Sequence, residues 1–310
     1  MNRREFVHNT VGTALGAAAM CLSPGFARGE EFGARSGDDA SGVSFKLSVM
    51  LWTIAPELPF EQRLEIVAGA GYKNVELVGE YVNWAEADIA HAIAKRKELG
   101  ISFDATAGLK HGVANPNDRE QFLDDLRVGL GFMEKLDCPS IIVLSGNVAA
   151  GMTRETQHQS CIECLKKAAT LVEAKKINGE PVRLLLETID PEENPNYFLT
   201  SMAEGFEIVK SVGHPQVQMV YDFFHEQIAE GNLIEKLEKN IQQVGLVHIA
   251  DVPGRHKPGT GEINYENIFR KLTQLKYDRV VAMEFLPISD PAGELREART
   301  MALRAGRVQG

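Results

Sequence analysis

Residues 244–265 read VGLVHIADVPGRHKPGTGEINY. The first seven are apolar except for His248 and a glycine, the pattern of a strand buried on both faces. The segment after it holds two prolines, three glycines, Asp251, Arg255, His256, Lys257 and Glu262, a composition that reads as a shaped loop. From Asn264 onward the spacing turns helical. Strand, charged loop and helix together make one β-loop-α unit, so the loop is either a solvated turn or the rim of a site.

Working outward, the same unit recurs. Short β-rich apolar runs stand at 45–51, 74–78, 101–106, 140–145, 182–188, 217–222, 244–250 and 280–285. Between them lie segments with 3.6-residue apolar spacing, such as AEADIAHAIAKRKELG and TRETQHQSCIECLKKAATLVEAKK. Gly71 and Gly100 suit helix C-termini, and Pro59 and Pro291 suit first-turn positions. Eight strand–helix units with strands apolar throughout predict an α/β fold, a single (β/α)8 TIM barrel over residues 44–310. An open doubly wound sheet is the alternative. AGAGYKNVEL does not support it, because this glycine-rich stretch follows a helix and precedes a strand, the reverse of a dinucleotide-binding turn.

The N-terminus predicts something separate. Arg3-Arg4, then Phe6, then a weakly apolar Ala/Gly/Val run to Leu22 and a small-residue exit at Ala27 have the look of a twin-arginine export signal, residues 1–27. It implies a periplasmic or exported protein, carried across the membrane already folded. The apolar run is too short to span a bilayer, so no stable membrane insertion is expected once the signal is removed. Residues 28–43, rich in Gly, Ser and charge, read as a linker. Three cysteines follow it, Cys138, Cys161 and Cys164; an odd number, two of them inside a helical pattern, reads as structural thiols. A net charge of −10 without a long basic cluster argues against a nucleic-acid partner and leaves small anionic substrates open. Association into a homo-oligomer is left open by the sequence.

The last four strands each end on a polar residue: Glu187, Asp222, His248 and Glu284. In a barrel these converge at the C-terminal mouth, where chemistry resides. Three carboxylates brought together there repel one another, and one divalent metal ion resolves the conflict. The oxygen-rich set favours Mn2+, Mg2+ or Co2+. His225, three residues past Asp222, is placed to reach a substrate hydroxyl, and Arg255 to pair with a substrate oxyanion. His111, in the loop after strand three, approaches from the other side as a further candidate for substrate binding. Glu76 in strand two and Trp52 past strand one read as core or wall residues.

The blocks VHIADVPGRHKPGTGEINYENIF, YDRVVAMEF, YDFFHEQIAEGNL and LLLETIDPEENPNYFL resemble the xylose-isomerase-like barrel superfamily, and within it most closely the hydroxypyruvate isomerase family. The resemblance covers most of residues 45–290. It implies a metal-dependent aldose–ketose isomerase of a small hydroxy-carbonyl or sugar substrate, acting through a cis-enediolate. It places metal ligands on Glu187, Asp222, His248 and Glu284, with Glu187 and Glu284 as the acid–base pair. His225 and Arg255 match substrate contacts of the related ketose 3-epimerases. Hydroxypyruvate isomerases often carry Gln at the third ligand position, whereas His248 follows the epimerases, so a ketose 3-epimerase is an alternative. Another is an exported sugar-binding protein without turnover.

Overall fold

The computed structural model describes residues 43–307. The signal expected at 1–27 and all but the last residue of the expected linker lie outside the described residues. Eight parallel strands run β1 Lys46–Met50, β2 Asn74–Val78, β3 Ser102–Ala107, β4 Ser140–Leu144, β5 Arg183–Glu187, β6 Val217–Asp222, β7 Val244–Ile249 and β8 Val280–Met283. They close on themselves in chain order, with β1 hydrogen-bonded to β8, which excludes the open sheet. The helices that pack around them include α1 Phe60–Gly69, α2 Glu86–Leu99, α3 Arg119–Leu136, α4 Arg154–Val172 and α5 Met202–Val212. After β6 come two short helices, α6 Phe223–Ala229 and α7 Leu233–Asn240, and then α8 Tyr265–Gln274 and α9 Pro291–Gly306. No described helix is long and apolar enough to cross a membrane.

Strand periodicity sorts the core into two parts. Alternate residues such as Val49, Val75, Phe103, Leu184 and Val247 face outward and pack with the helices. Met50, Val78, Ala105, Ile142, Leu185, Val220, Leu246 and Ala282 fill the barrel interior. Two residues on from the last four of these floor residues stand Glu187, Asp222, His248 and Glu284. A period of two therefore carries each of them onto the same inward face, one layer above an apolar floor.

One register shift matters for the site. Between β6 and β7 the partners step from Met219–Val244 to Val220–Leu246, so Gly245 is the extra residue of a bulge, and Asp222 then pairs with His248. A Cβ on Gly245 would sit 2.4 Å from a Leu185 methyl, so a side chain there would have to displace Leu185 from the barrel floor. Helix starts carry the expected caps: Thr153, Ser201, Asn264 and Asp290 each accept a first-turn N–H. Pro291 is the first residue of α9, as expected; Pro59 takes the N-cap position of α1 rather than its first turn. The helical pattern expected to continue to Lys176 stops at Val172, because Asn178 and Gly179, both at positive φ, turn the chain into a two-stranded hairpin, Lys176–Ile177 against Glu180–Pro181. The three cysteines are free and buried, and burial pushes the Cys164 thiol up to about 12, so they pack as small apolar residues.

Candidate metal centre

Ligand-type atoms of Glu187, Asp222, His248 and Glu284 all lie within 4.8 Å of one another, and all four residues are buried. The His248 ring is at the middle. Its Nδ1 faces Glu284 Oε2 at 2.7 Å, Glu187 Oε1 at 3.4 Å and Asp222 Oδ2 at 3.9 Å. Its Nε2 points the other way, 3.1 Å from Glu76 Oε2. Burial disfavours an imidazolium here, but the Glu284 and Glu76 charges outweigh it and hold the His248 pKa well above the usual range.

Two of the carboxylates, Asp222 and Glu284, are aimed by a second contact. Asp222 doubles as the N-cap of α6: its Oδ1 accepts the N–H groups of Phe224 at 2.7 Å and His225 at 3.4 Å, leaving Oδ2 to face the cluster. Glu284 Oε1 accepts Trp52 Nε1–H at 3.1 Å and pairs with Arg255 Nη2 at 2.9 Å. Trp52 is therefore more than wall, since it orients a site carboxylate. Tyr197 braces the end of β5 by donating to the Glu187 carbonyl at 3.1 Å.

Arg255 is buried, contrary to a solvated loop arginine. Its Nη2 lies 3.3 Å from Asp222 Oδ2 and its Nη1 lies 2.6 Å from Glu193 Oε2, and its guanidinium stacks over Phe224 and near Trp52. These acidic neighbours raise its pKa further against the opposing effect of burial. Its backbone sits at φ 57°, a left-handed conformation that a non-glycine residue keeps only where its surroundings hold it. Asp251 supplies that hold: Oδ1 accepts from Val252 and Ile263, and Oδ2 from Gly259 and Gly261, all at 2.8–3.0 Å. Asp251 thus knits the loop that follows β7. Of that loop's other charges, His256 Nδ1 bonds the Leu286 carbonyl, Lys257 pairs with Glu297, and Glu262 accepts from Gln227.

His225 is buried beside the cluster, with Nδ1 2.6 Å from Asp190 Oδ2 and Nε2 3.3 Å from Arg255 Nη1. Burial lowers its pKa, yet the Asp222 and Asp190 charges outweigh burial and Arg255, and the net shift is upward. Asp190, Glu193 and His225 form a second group of close potential ligands, which the sequence analysis missed. Both acids lie in the TIDPEEN loop, where a carboxylate carries no strand-end signal. His111 is not part of either group: Asp125 holds its Nδ1 at 2.8 Å and its backbone N–H at 3.0 Å.

The first group fits one divalent cation. Three buried carboxylates meet one guanidinium and, in metal-free protein, hold a proton on His248; a divalent ion would supply that positive charge in its place. Oxygen donors dominate and no thiolate is present in the group, a hard-cation set.

The profile of the xylose isomerase-like TIM barrel family matches residues 64–304. Among curated proteins, the chain is 31% identical over 247 residues to the 2-oxo-tetronate isomerase of Haemophilus influenzae, covering 78% of this chain and 93% of that one. It is 28% identical over 256 residues to the hydroxypyruvate isomerase of Escherichia coli, covering 81% and 97%. Among solved structures, an AP endonuclease, family 2, from Brucella melitensis superposes with a TM-score of 0.72 at 26% identity, covering 82% of this chain and 96% of that one.

Proposed function

The chain belongs to the xylose isomerase-like TIM barrel family, and from that premise we propose that it is an aldose–ketose isomerase of small hydroxy-carbonyl substrates, most like hydroxypyruvate isomerase. The observation that carries this reading is the convergence of Glu187, Asp222, His248 and Glu284 on one point at the barrel mouth. These four would hold one divalent ion, Mn2+, Mg2+ or Co2+. Such an ion supplies Lewis acidity toward a carbonyl and the hydroxyl beside it.

Glu187 and Glu284 are the acid–base pair. One takes the proton from the carbon next to the carbonyl, giving a cis-enediolate. A proton delivered to the neighbouring carbon, with the hydroxyl proton passing to the former carbonyl oxygen, completes the shift of the carbonyl by one position, so atoms and charge balance without an external oxidant. Trp52 and Arg255 on Glu284 Oε1 keep that carboxylate aimed, leaving Oε2 toward the reacting side. His225, held through Nδ1 by Asp190, sits with Nε2 against Arg255 Nη1, and the Arg255 guanidinium is the donor that faces the developing oxyanion.

Incubation with hydroxypyruvate, followed by NMR of the products, tests the assignment. Conversion to the aldehyde isomer is expected; recovery of unchanged hydroxypyruvate alongside turnover of ketoses at C3 would replace it with the second reading. That reading, a ketose 3-epimerase, is favoured by one feature, the imidazole at position 248. In it the proton returns to the same carbon on the opposite face. Binding of sugar with no exchange of any C–H would leave only the non-catalytic alternative. We also propose export by the twin-arginine route; a fusion of residues 1–43 that fails to leave the cytoplasm would count against it.

A further inference from the structure

Glu76 is an inward residue of β2, in register with Met50 of β1 and Ala105 of β3. The interior of a (β/α)8 barrel is ordinarily filled by apolar layers, and here Met50, Val78, Ala105 and Ala107 surround this position. A wholly buried carboxyl among such neighbours is costly unless it is bonded to something. Its bond reaches across the barrel: Oε2 meets His248 Nε2 at 3.1 Å, although β1 and β8 separate β2 from β7.

We infer that Glu76 is a positioning residue, which takes the Nε2 hydrogen of His248 and so turns the Nδ1 lone pair toward the point where Glu187, Asp222 and Glu284 converge. A neutral imidazole carries one N–H and one lone pair, and the partner of one nitrogen decides the role of the other. An ionised carboxylate only accepts, so Nε2 must donate to it. Nδ1, facing three further carboxylates at 2.7–3.9 Å, is then the atom available to a cation. A residue that merely filled the barrel would need neither the charge nor this bond. The inference rests on reading the four strand-end residues as a cation site.

The test uses full-length protein stripped of metal with a chelator. Mn2+ affinity is measured by calorimetry for wild type, Glu76→Gln and Glu76→Met, and the melting temperature of each is recorded without metal. The tautomer of His248 is read from two-bond 15N–1H correlations in the Mg2+-loaded wild type. Glu76→Met is expected to weaken Mn2+ binding about 10- to 100-fold without lowering the metal-free melting temperature. Glu76→Gln, whose amide oxygen still accepts, is expected to recover most of that loss. The His248 signal is expected to show hydrogen on Nε2. Unchanged Mn2+ affinity in Glu76→Met, equal losses in both variants, or hydrogen on Nδ1 would each overturn the inference. If Glu76→Met does not fold, the glutamine variant and the wild-type tautomer still decide it. A wild type that takes up no divalent ion would instead overturn the site reading itself, a result distinct from all of these.

Discussion

Two groups of potential ligands sit side by side at the barrel mouth, and they are built for different tasks. In the first, Glu187, Asp222 and Glu284 surround the His248 Nδ1, and Arg255 stands to one side on Glu284 and Asp222. In the second, Asp190, Glu193 and His225 close around Arg255 Nη1, which lies 2.6 Å from Glu193 and 3.3 Å from His225 Nε2. Asp190 is further used up by the N–H groups of Glu192 and Glu193. A close set of acids and a histidine is therefore not a cation site by count alone. What decides is whether the chain already supplies the positive charge.

The largest effect should come from the first group. Glu187→Gln and Glu284→Gln are each expected to lower kcat by about 10²–10⁴-fold, the range of a lost general acid or base. Steady-state rates on whichever substrate is turned over check this; a change under tenfold in both would remove the acid–base assignment. Arg255→Met tests the second group. It strips Glu193, Asp222 and Glu284 of their buried partner, and a metal-free protein should lose about 3–5 kcal/mol in denaturant unfolding. Metal analysis of the wild type bears on the same contrast, since one ion per chain is expected and two would erase the distinction.

Asp251→Ala should act through the loop. Four backbone N–H groups lose their acceptor, which predicts a destabilisation of about 3 kcal/mol and a raised KM from a misplaced Arg255. A variant with wild-type melting and KM would show that the loop holds itself.

The smallest effect is on pH. In metal-free protein the pKa values of His248 and His225 are both raised, because neighbouring carboxylates outweigh burial. Groups that bind protons more tightly when folded add stability that is full below their unfolded pKa and lost as pH rises through the folded value. Metal-free protein should therefore lose stability as pH climbs above about 6.5, the unfolded histidine value. Divalent ions should stabilise it more at pH 8 than at pH 6, because an ion at Nδ1 displaces a proton. Melting curves at both pH values, with and without Mn2+, measure this; a larger metal effect at pH 6 would contradict it.

Much of this was legible in the sequence because strand geometry is local. Polar residues ending apolar runs, two positions past an interior residue, give away Glu187, Asp222, His248 and Glu284, and the βα alternation gives the barrel. Glu76 reads from sequence as core or wall because one acid inside NVELV carries no local sign of a partner 172 residues away. Asp190 and Glu193 were missed for the same reason, since a loop's partners are set only when the barrel closes. His111 is a candidate by loop position alone, and its Nδ1 bonds Asp125 on α3, a partner no local pattern announces.

The most direct test of the central claim is exchange of substrate C–H with solvent deuterium, followed by NMR, using hydroxypyruvate and small ketoses before chelation, after chelation and after return of Mn2+. The account predicts exchange that stops on chelation, returns with the ion and is absent in Glu284→Gln. Exchange that persists in fully chelated protein, or no exchange in any substrate with Mn2+ bound, would contradict it.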